Sequence, residues 1–397
     1  QPQDNCKTKL RIQIGESMKR LVTSEAVTEG HPDKIADQIS DAVLDAALKL
    51  NPNSRVAIET MVTPGLVHIG GELTTDGWID FRQVAKETLA KIGDSQHLGL
   101  PEDTVAVMPT VIEQSHEIAK AVTESNDDKT TGAGDQGMMY GYAVNETKTL
   151  MPLPITLANE IAFELSQARK TRMIPNLRPD AKVQVTVEYD GLTPVKVDTI
   201  LVSTQHDKEW DMKLTAEEVK QFIIKPILMQ HAMPQDYKFM FNPSGSFVTG
   251  GVMADSGLTG RKIIADTYGG AARHGGGAFS GKDATKVDRS AAYAMRWVAK
   301  NVVALGLADR VEIQVAYAIG MAEPVGLYVD SFGTGKEPDD KIASAILQAV
   351  DLRPRAIIES LDLKQPIFSD TTCYGHFGKE QMTWEKLDLA DSIERAL

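Results

Sequence analysis

The sequence is poor in cysteine. Only Cys6 and Cys373 occur in 397 residues, and Cys6 lies in the polar opening segment Gln1–Lys9. A structural disulfide between the two is therefore not expected, and a reducing compartment fits the chain better. Two cysteines also exclude a zinc site built from four thiolates.

Long apolar runs are absent as well. No stretch approaches the roughly 20 consecutive apolar residues that a membrane helix needs. The segment Gln1–Lys9 has no apolar core, so we expect no signal peptide there. Hydrophobic residues make up 42% of the chain and charged residues 24%, which is typical of globular proteins. We therefore predict a soluble, cytoplasmic protein that does not associate with membranes.

Positive charge is also scarce. Lysine and arginine number 42 against 55 aspartates and glutamates, which gives a formal net charge of −13. This balance argues against a general nucleic-acid binder. An anionic ligand would need a local cluster of cations, so the positions of the lysines and arginines matter more than their total.

The hydrophobic pattern suggests one order of elements three times: helix, strand hairpin, helix, strand. The predicted helices are Lys34–Leu50, Phe81–Ile92, Ile155–Thr171, Ala216–His231, Val287–Leu305 and Lys341–Leu361. The predicted hairpins are Arg55–Val62 with Leu66–Leu73, Lys182–Tyr189 with Val195–Ser203, and Arg310–Ile319 with Val325–Phe332. The predicted closing strands are Thr104–Met108, Tyr237–Phe241 and Pro366–Ser369. Long antiparallel hairpins beside helices favour an α+β fold over a doubly wound parallel sheet. Chance alternation of elements is the alternative.

The segment Gly275–Asp288 combines glycines with cations. Consecutive glycines let backbone N–H groups approach phosphate oxygens closely. We predict that a helix starts near Asp283, so that its positive end faces the same ligand. Three cations would then share one helical face: Lys282, Lys286 and Arg289. Asp288 could hold a divalent metal ion. The alternative is a flexible glycine loop before an ordinary helix.

The same segment nearly fits a P-loop. Gly276–Lys282 matches the pattern G-x-x-x-x-G-K. The next residue is Asp283, however, where a P-loop needs the Ser or Thr that binds Mg²⁺. The preceding stretch Thr267–Arg273 is not an apolar strand either. A P-loop kinase or NTPase is therefore a weaker hypothesis.

Two further motifs place charged side chains at predicted turns. Gly257–Lys262 ends in adjacent Arg and Lys, a fork and a point charge that suit polyphosphate; a solvated pair is the alternative. In Glu29–Lys34, Pro32 suits the first turn of a helix and puts His31 at its N-terminal boundary. This helix also carries carboxylates at every fourth position, which predicts a solvated acidic face. They are Asp33, Asp37, Asp41 and Asp45.

The set and order of four motifs resemble the S-adenosylmethionine synthetase family, also called methionine adenosyltransferase. They are GHPDKI at 30–35, GAGDQG at 132–137, GLTGRK at 257–262 and GGGAFSGKD at 275–283. The resemblance runs from about Ser24 to Phe377. It implies that the methionine sulfur attacks C5′ of ATP and displaces the triphosphate, which is then hydrolysed to pyrophosphate and phosphate.

The resemblance also implies an architecture. The family has three similar α+β domains about a pseudo-threefold axis, which we place at residues 18–118, 119–242 and 243–390. It implies a homodimer with shared active sites, in some members paired into a homotetramer, and a mobile gate near Glu113–Asp128.

The site residues follow from the same resemblance. The implied catalytic residues are His31, Lys182, Arg261, Lys282 and Asp288. The implied ATP site comprises His31, Asp180, Lys182, Ser246, Phe247, Asp255, Arg261, Lys262, Ala278, Lys282 and Ile319. The implied methionine site comprises Glu72, Gln114, Asp255, Lys286 and Ile319. Asp33 and Asp288 would bind two Mg²⁺ ions, and Glu59 a K⁺ ion.

One departure from the family pattern concerns charge. The segment Asn242–Phe247 has Ser246 where the family usually has an arginine, so one cation near the nucleotide is lost. A third hypothesis, from another class, is a catalytically weak homologue that regulates a partner subunit. The residues that count against it are intact: His31, Asp33, Lys182, Lys282 and Asp288.

Overall fold

The computed structural model describes residues 19–114 and 132–397. Cys6, the opening segment and most of the implied gate lie outside these residues. The strands, in chain order, are β1 (Lys19–Val27), β2 (Arg55–Thr63), β3 (Leu66–Thr74), β4 (Ala106–Ile112), β5 (Gly137–Val144), β6 (Leu177–Asp190), β7 (Thr193–His206), β8 (Lys238–Phe241), β9 (Gly257–Leu258), β10 (Arg310–Tyr317) and β11 (Gly326–Asp330).

The α-helices are α1 (Pro32–Leu50), α2 (Phe81–Ile92), α3 (Leu153–Lys170), α4 (Met212–Val219), α5 (Lys225–Gln230), α6 (Ile263–Asp266), α7 (Val287–Ala304), α8 (Asp339–Ala349), α9 (Pro354–Ser360) and α10 (Ala390–Ala396). A π-helical turn, Lys220–Ile224, joins α4 to α5. No helix in the two described ranges is both long and apolar enough to cross a membrane.

The strands form three sheets, each built on a long antiparallel hairpin. The first sheet has the order β4-β3-β2-β9, the second β1-β6-β7-β8 and the third β11-β10-β5. Helices pack against these sheets: α1 against β2, α3 against β6 and α7 against β5. The α+β prediction is confirmed.

The predicted repeat of elements holds in two of its three copies. A helical segment follows the hairpin, and the closing strands β4 and β8 then add in parallel to β3 and β7. In the third copy the strand predicted at Pro366–Ser369 is wrong, because Phe368–Asp370 is a turn of 3₁₀-helix. Its backbone N–H groups at Phe368 and Ser369 donate to the Asp45 carboxylate at 3.0 and 2.8 Å, so they are not available to a sheet.

The helix predicted at Lys341–Leu361 is also wrong as a single element. It is interrupted between α8 and α9, where Pro354 begins the second helix. Proline disfavours helical backbone in the residue before it, and Arg353 is accordingly extended, with φ −67° and ψ 142°. A continuous apolar period does not reveal such a break.

Three strands were missed by the pattern, and each completes the sheet of a hairpin distant in sequence. β1 pairs with β6 over nine residues, β5 pairs with β10, and β9 pairs with β2. All three lie antiparallel to the first strand of the hairpin they join. The predicted domain boundaries at 118/119 and 242/243 are therefore each crossed by sheet hydrogen bonds, and those boundaries remain a prediction.

The acidic row of α1 is buried, so the predicted solvated face is wrong. Asp37, Asp41 and Asp45 are at most 5% exposed. Each carboxylate accepts from a different distant segment: Asp37 from the Gly260 N–H at 2.8 Å, Asp41 from the Gly281 N–H at 2.8 Å, and Asp45 from residues 368–369. The row is thus a set of anchors for the loops that pack on α1.

Candidate functional site

The first candidate group lies at the start of α1. His31 is the N-cap residue, and its Nδ1 accepts from the Asp33 N–H at 3.2 Å. Pro32 follows at the first helical position, where no N–H is needed. Burial and the charge of Lys262 lower the pKa of His31 to about 3. The imidazole is therefore neutral, and because Nδ1 accepts, its proton lies on Nε2, which can donate to a ligand.

The Asp33 carboxylate joins this turn to the Arg-Lys pair. Lys262 forms an ion pair with Asp33, and the Nη1 of Arg261 lies 3.7 Å from the other carboxylate oxygen, Oδ1. Burial raises the pKa of Asp33, but the Lys262 hydrogen bond and the N–H of Leu258 outweigh it and hold that pKa below its usual value. A Cβ on Gly257 would lie 2.1 Å from the Pro32 carbonyl oxygen, so only glycine permits this approach of β9 to α1.

Asp180 and Lys182, on β6, lie beside the same turn. Thr28 ties the two elements together, because its hydroxyl donates to the Pro179 carbonyl at 2.6 Å and accepts from the Ala181 N–H at 2.8 Å. The side chain of Asp180 accepts from the Gly251 N–H at 2.9 Å. We call His31, Asp33, Asp180, Lys182, Arg261 and Lys262 the His31 cluster.

The buried carboxyl group of Asp180 should make the free energy of unfolding depend on pH. Burial raises its pKa from 3.8 to about 6. Between those two values the folded chain holds a proton that the unfolded chain has lost, so this stabilisation is present at low pH and is lost as the pH rises. Relative to Asp180→Asn, the wild-type free energy of unfolding should fall by about 2–3 kcal/mol between pH 4 and pH 7. Urea unfolding of both proteins measures it, and a difference independent of pH would contradict the raised pKa.

The glycine segment pairs with the edge of β2 before its helix begins. The Ile58 N–H donates to the Gly281 carbonyl at 2.9 Å, and the Asp283 N–H donates to the Val56 carbonyl at 3.0 Å. α7 starts at Val287, which confirms the start predicted from the apolar period, whereas the start predicted near Asp283 for the glycine segment is wrong. These hydrogen bonds tie residues 281–283 to β2, and Gly281 has a φ of +79°, so the backbone there is not helical.

Only two of the three cations in this segment can reach a ligand. Lys282 is paired with Asp288, Nζ to Oδ2 at 2.6 Å, and both side chains are at least one-fifth exposed. Lys286 is paired with Asp283 at 2.5 Å. Arg289 is fully buried against Asp41, so the single helical face predicted for the three cations is wrong.

The backbone of the glycine loop passes close to the Asp288 side chain at Gly277. A Cβ on Gly277 would lie 2.4 Å from its carboxylate carbon, so only glycine lets the backbone pass there. The loop backbone therefore lies against the partly exposed ion pair between Lys282 and Asp288.

The face of the first sheet turned away from α1 carries further candidates. Ala57 on β2 lies opposite Glu72 on β3 and opposite Lys282 on its other side. Residues directly opposite each other in antiparallel pairs share a face, so Glu72 and Lys282 flank Ala57. Glu59, two residues along β2, is exposed on the same face. We call Lys282, Asp288, Glu59 and Glu72 the Lys282 cluster.

One contact connects the two clusters. A Cβ on Gly260 would lie 2.6 Å from the Cβ of Ala278. Ala278 of the glycine loop is therefore packed beside the residue that precedes Arg261. The motif at 257–262 and the motif at 275–283, both predicted to bind phosphate, therefore contact each other at Gly260 and Ala278.

The other predicted residues lie outside these contacts. The Phe247 carbonyl accepts from the His206 backbone N–H at 3.1 Å, and the Phe247 N–H donates to the His206 side chain at Nε2, at 2.8 Å. Ser246, Asp255 and Ile319 are exposed, and Gln114 follows the end of β4, with its N–H 3.3 Å from the Thr74 hydroxyl. Within residues 19–114 and 132–397, no hydrogen bond or ion pair joins these five side chains to either cluster.

Glu29 begins the motif Glu29–Lys34, but the sequence did not indicate a role for its side chain. The buried Glu29 carboxylate accepts from Arg169 and Lys170, each at 2.8 Å. Arg169 and Lys170 end a predicted helix, where cations are expected for the helix dipole alone. The contact instead fixes the turn that carries His31.

Glu29→Gln should reduce kcat about tenfold while leaving the KM for either substrate within about twofold. The amide holds Arg169 less strongly, and a displaced catalytic group slows the reacting step more than it weakens binding. Steady-state kinetics measure both constants. Glu188→Gln, which removes the ion pair with Lys19, is the matched control and should behave like the wild type. A Glu29→Gln enzyme with unchanged kcat would show that the turn does not depend on this contact.

The implied ligands for Mg²⁺ are the carboxylates of Asp33 and Asp288. Among the described residues, no group of three or more His, Cys, Asp or Glu side chains is arranged to hold a metal ion. Asp33 and Asp288 instead stand singly, each beside a lysine. Mg²⁺ often takes only one or two protein carboxylates and completes its ligands with substrate phosphates and water, so single carboxylates fit a metal that arrives with a polyphosphate.

Comparison with known proteins covers most of the chain. Three S-adenosylmethionine synthetase models match: the N-terminal domain at residues 19–116, the central domain at 130–247 and the C-terminal domain at 249–386. The S-adenosylmethionine synthase of a Nocardioides species is 54% identical over 95% of this chain and 98% of its own. Those of Clostridium botulinum and Corynebacterium glutamicum are 51% and 53% identical, each over 95% of this chain and over 100% and 98% of their own. The chain belongs to the S-adenosylmethionine synthetase family.

Proposed function

We propose that the His31 and Lys282 clusters form the methionine adenosyltransferase site of this chain. The chain makes S-adenosylmethionine from ATP, methionine and water: the methionine sulfur attacks C5′ of ATP, and the released triphosphate is hydrolysed to pyrophosphate and phosphate. The observation that carries the site assignment is the pairing of two partly exposed lysines, Lys262 and Lys282, with single carboxylates, the second pair beside the glycine loop. A triphosphate oxygen can replace each carboxylate on its lysine.

His31 acts on the leaving oxygen. Its neutral imidazole keeps the proton on Nε2 and can donate it in a hydrogen bond without losing it. Negative charge develops on that oxygen as the C5′–O bond breaks, and a fixed donor stabilises charge that develops in the transition state. The sulfur nucleophile carries no proton, so no general base is needed for this step. Lys182 would act on the same centre, since its charge already contributes to the lowered pKa of His31.

Arg261, Lys262, Ala278 and Lys282 hold the triphosphate. A leaving group with several charges needs several preorganised cations, which cost no rearrangement at the moment of reaction. The family requires metal ions, and here Asp33 and Asp288 would each bind one Mg²⁺, which supplies Lewis-acid stabilisation of the phosphate oxygens. The exposed carboxylate of Glu59 would bind K⁺.

The remaining assignments concern the adenosine and methionine parts of the substrates. Asp180, Ser246, Phe247, Asp255 and Ile319 would contact the nucleotide, with Phe247 stacked on adenine. The methionine residues are Glu72, Gln114, Asp255, Lys286 and Ile319. Lys286 must leave Asp283 to reach a ligand, so its pairing at 2.5 Å makes it the assignment with the largest rearrangement. A site for ATP and methionine suits a cytoplasmic enzyme.

A homodimer with shared sites, either alone or paired into a tetramer, is supported by the exposed face of the first sheet. That face presents Met61, Met108, Ile112 and Leu258, which are 39–67% exposed. Large exposed apolar patches mark interaction surfaces. Because Glu59 and Glu72 lie on this face, a partner that covered it would also close over these two side chains.

Product analysis tests the activity. The chain is incubated with ATP, methionine, Mg²⁺ and K⁺, and the products are separated by chromatography. We expect S-adenosylmethionine with pyrophosphate and phosphate. ADP formed without methionine would instead indicate a P-loop kinase or NTPase, and the absence of turnover would indicate a regulatory homologue.

A further inference from the structure

A charged cavity of about 260 Å³ lies between the end of α3 and the start of β6, outside both clusters. Its charged lining residues are Asp94, Arg169, Arg172, Arg178 and Asp207. The lining therefore contains three arginines and two carboxylates, which gives it a formal charge of +1. A cavity of this size accommodates a small anion together with a few water molecules.

The two carboxylates are already used by two of the arginines. Arg178 contacts Asp207 at 2.6 Å and Asp94 at 3.2 Å, and Arg169 contacts Asp94 at 3.0 Å. Arg172 is exposed, and its guanidinium makes no ion pair or hydrogen bond with any residue that the structure describes. Its charge is therefore available to a ligand.

Arg169 supplies a second, independent observation. The residue is 92% buried, being 8% exposed, yet its Nε has no hydrogen-bond partner among the described residues. A buried donor left unpaired has lost its hydration without replacement, so the native arrangement gains if a polar group reaches it. An oxyanion has acceptors on every side and suits a group of arginine forks.

The same arginine reaches the His31 cluster. Its Nη2 donates to Glu29 at 2.8 Å and to the Ile92 carbonyl at 2.6 Å. Glu29 lies two residues before His31, whose N–H donates to the Thr28 carbonyl at 3.1 Å. An anion on Arg169 would compete with Glu29 for the guanidinium and would loosen this turn.

We propose that this cavity binds a small oxyanion of the phosphate class, and that its occupancy slows the reaction by weakening the contact between Arg169 and Glu29. The ligand is either free phosphate or the phosphate group of a larger metabolite. The effect on rate rests on the role proposed for His31, whereas binding in the cavity does not.

Initial rates in the presence of inorganic phosphate or sn-glycerol 3-phosphate test the proposal. In the wild type we expect an inhibition component that is noncompetitive with both ATP and methionine. In Arg172→Gln this component should be about fivefold weaker or more, as expected for loss of a charge-assisted hydrogen bond, and Arg172→Lys should restore much of it. Without added anion, kcat in Arg172→Gln should stay within about twofold of the wild type, because the guanidinium has no partner.

Thermal unfolding in the same anions measures binding separately from rate. The saturable rise in Tm should be smaller in Arg172→Gln than in the wild type and in Lys213→Gln, a control that removes an exposed cation elsewhere. An effect of both anions identifies a phosphate group as sufficient, and an effect of phosphate alone identifies the free ion. Purely competitive inhibition, or equal inhibition in Arg172→Gln, would overturn the site. A Tm rise that depends on Arg172 without noncompetitive inhibition would overturn the coupling to His31.

Discussion

Lys282→Ala is expected to lower kcat for S-adenosylmethionine formation by about 10²–10³. Its Nζ lies 2.6 Å from Asp288 and is partly exposed, and we propose that it contacts the triphosphate together with the adjacent glycine backbone. Removing the cation leaves the Asp288 carboxylate without its partner and takes away charge stabilisation where the leaving group forms. Steady-state rates measured by chromatography of the product test this expectation.

A companion variant tests the other cluster. Asp33→Asn should reduce turnover by a similar factor, because the amide binds Mg²⁺ weakly and no longer holds Lys262. Lys49→Ala, an exposed lysine at the end of α1, is the control and should retain the wild-type rate. Near-normal rates in both Lys282→Ala and Asp33→Asn would contradict the site assignment. Circular dichroism distinguishes loss of chemistry from loss of fold.

Asp41→Ala is expected to destabilise the folded chain by about 3–5 kcal/mol, because it leaves a buried arginine unpaired. Both residues of the pair are inaccessible, and Arg289 binds the carboxylate through two hydrogen bonds of 2.7 and 2.9 Å. Asp41 also accepts from the Gly281 N–H and the Thr372 hydroxyl. Chemical denaturation followed by circular dichroism measures the loss.

Two further proteins make this stability test specific. Glu337→Ala breaks the exposed pair with Lys341 and should cost less than about 1 kcal/mol. The double variant Asp41→Leu with Arg289→Met removes both buried charges and should recover part of the stability lost in Asp41→Ala. A loss in Asp41→Ala no larger than that in Glu337→Ala would show that Arg289 finds another partner.

Much of the local structure could be predicted. The helix Phe81–Ile92 has the predicted bounds, and the turns of the first two predicted hairpins fall at Pro64–Gly65 and Gly191–Leu192. Apolar period and turn residues act within a few positions of each other, so the sequence contains what these elements need. The family and its activity could be predicted as well, because the order of the motifs is specific.

Strand pairing at the sheet edges could not be predicted. β9 has only two residues, and β5 contains two glycines, Gly137 and Gly141, so neither has a strong strand pattern. Their partners β2 and β10 lie more than 100 residues away. Pairing over such separations depends on how the completed layers meet, and a local pattern does not contain that information.

The acidic row shows the same limit within the site. Spacing at every fourth residue correctly places Asp33, Asp37, Asp41 and Asp45 on one face of α1, but it does not say what that face meets. The partners are Lys262, the Gly260 N–H, Arg289 and the N–H groups at 368–369. An ionised carboxylate is stable either in water or in the interior beside a buried cation. The spacing of the aspartates is compatible with both environments.

By itself, then, the sequence determined most of the helices, the hairpins and the family, because those depend on nearby residues and on the order of motifs. Only the tertiary structure decided which strands complete each sheet, which cations are free for a ligand and which are buried. Lys282 and Arg289 are seven residues apart in one motif, yet one faces solvent and the other is enclosed by Asp41. Chain segments from opposite ends of the sequence make that difference, since burial and pairing are properties of the packed layers.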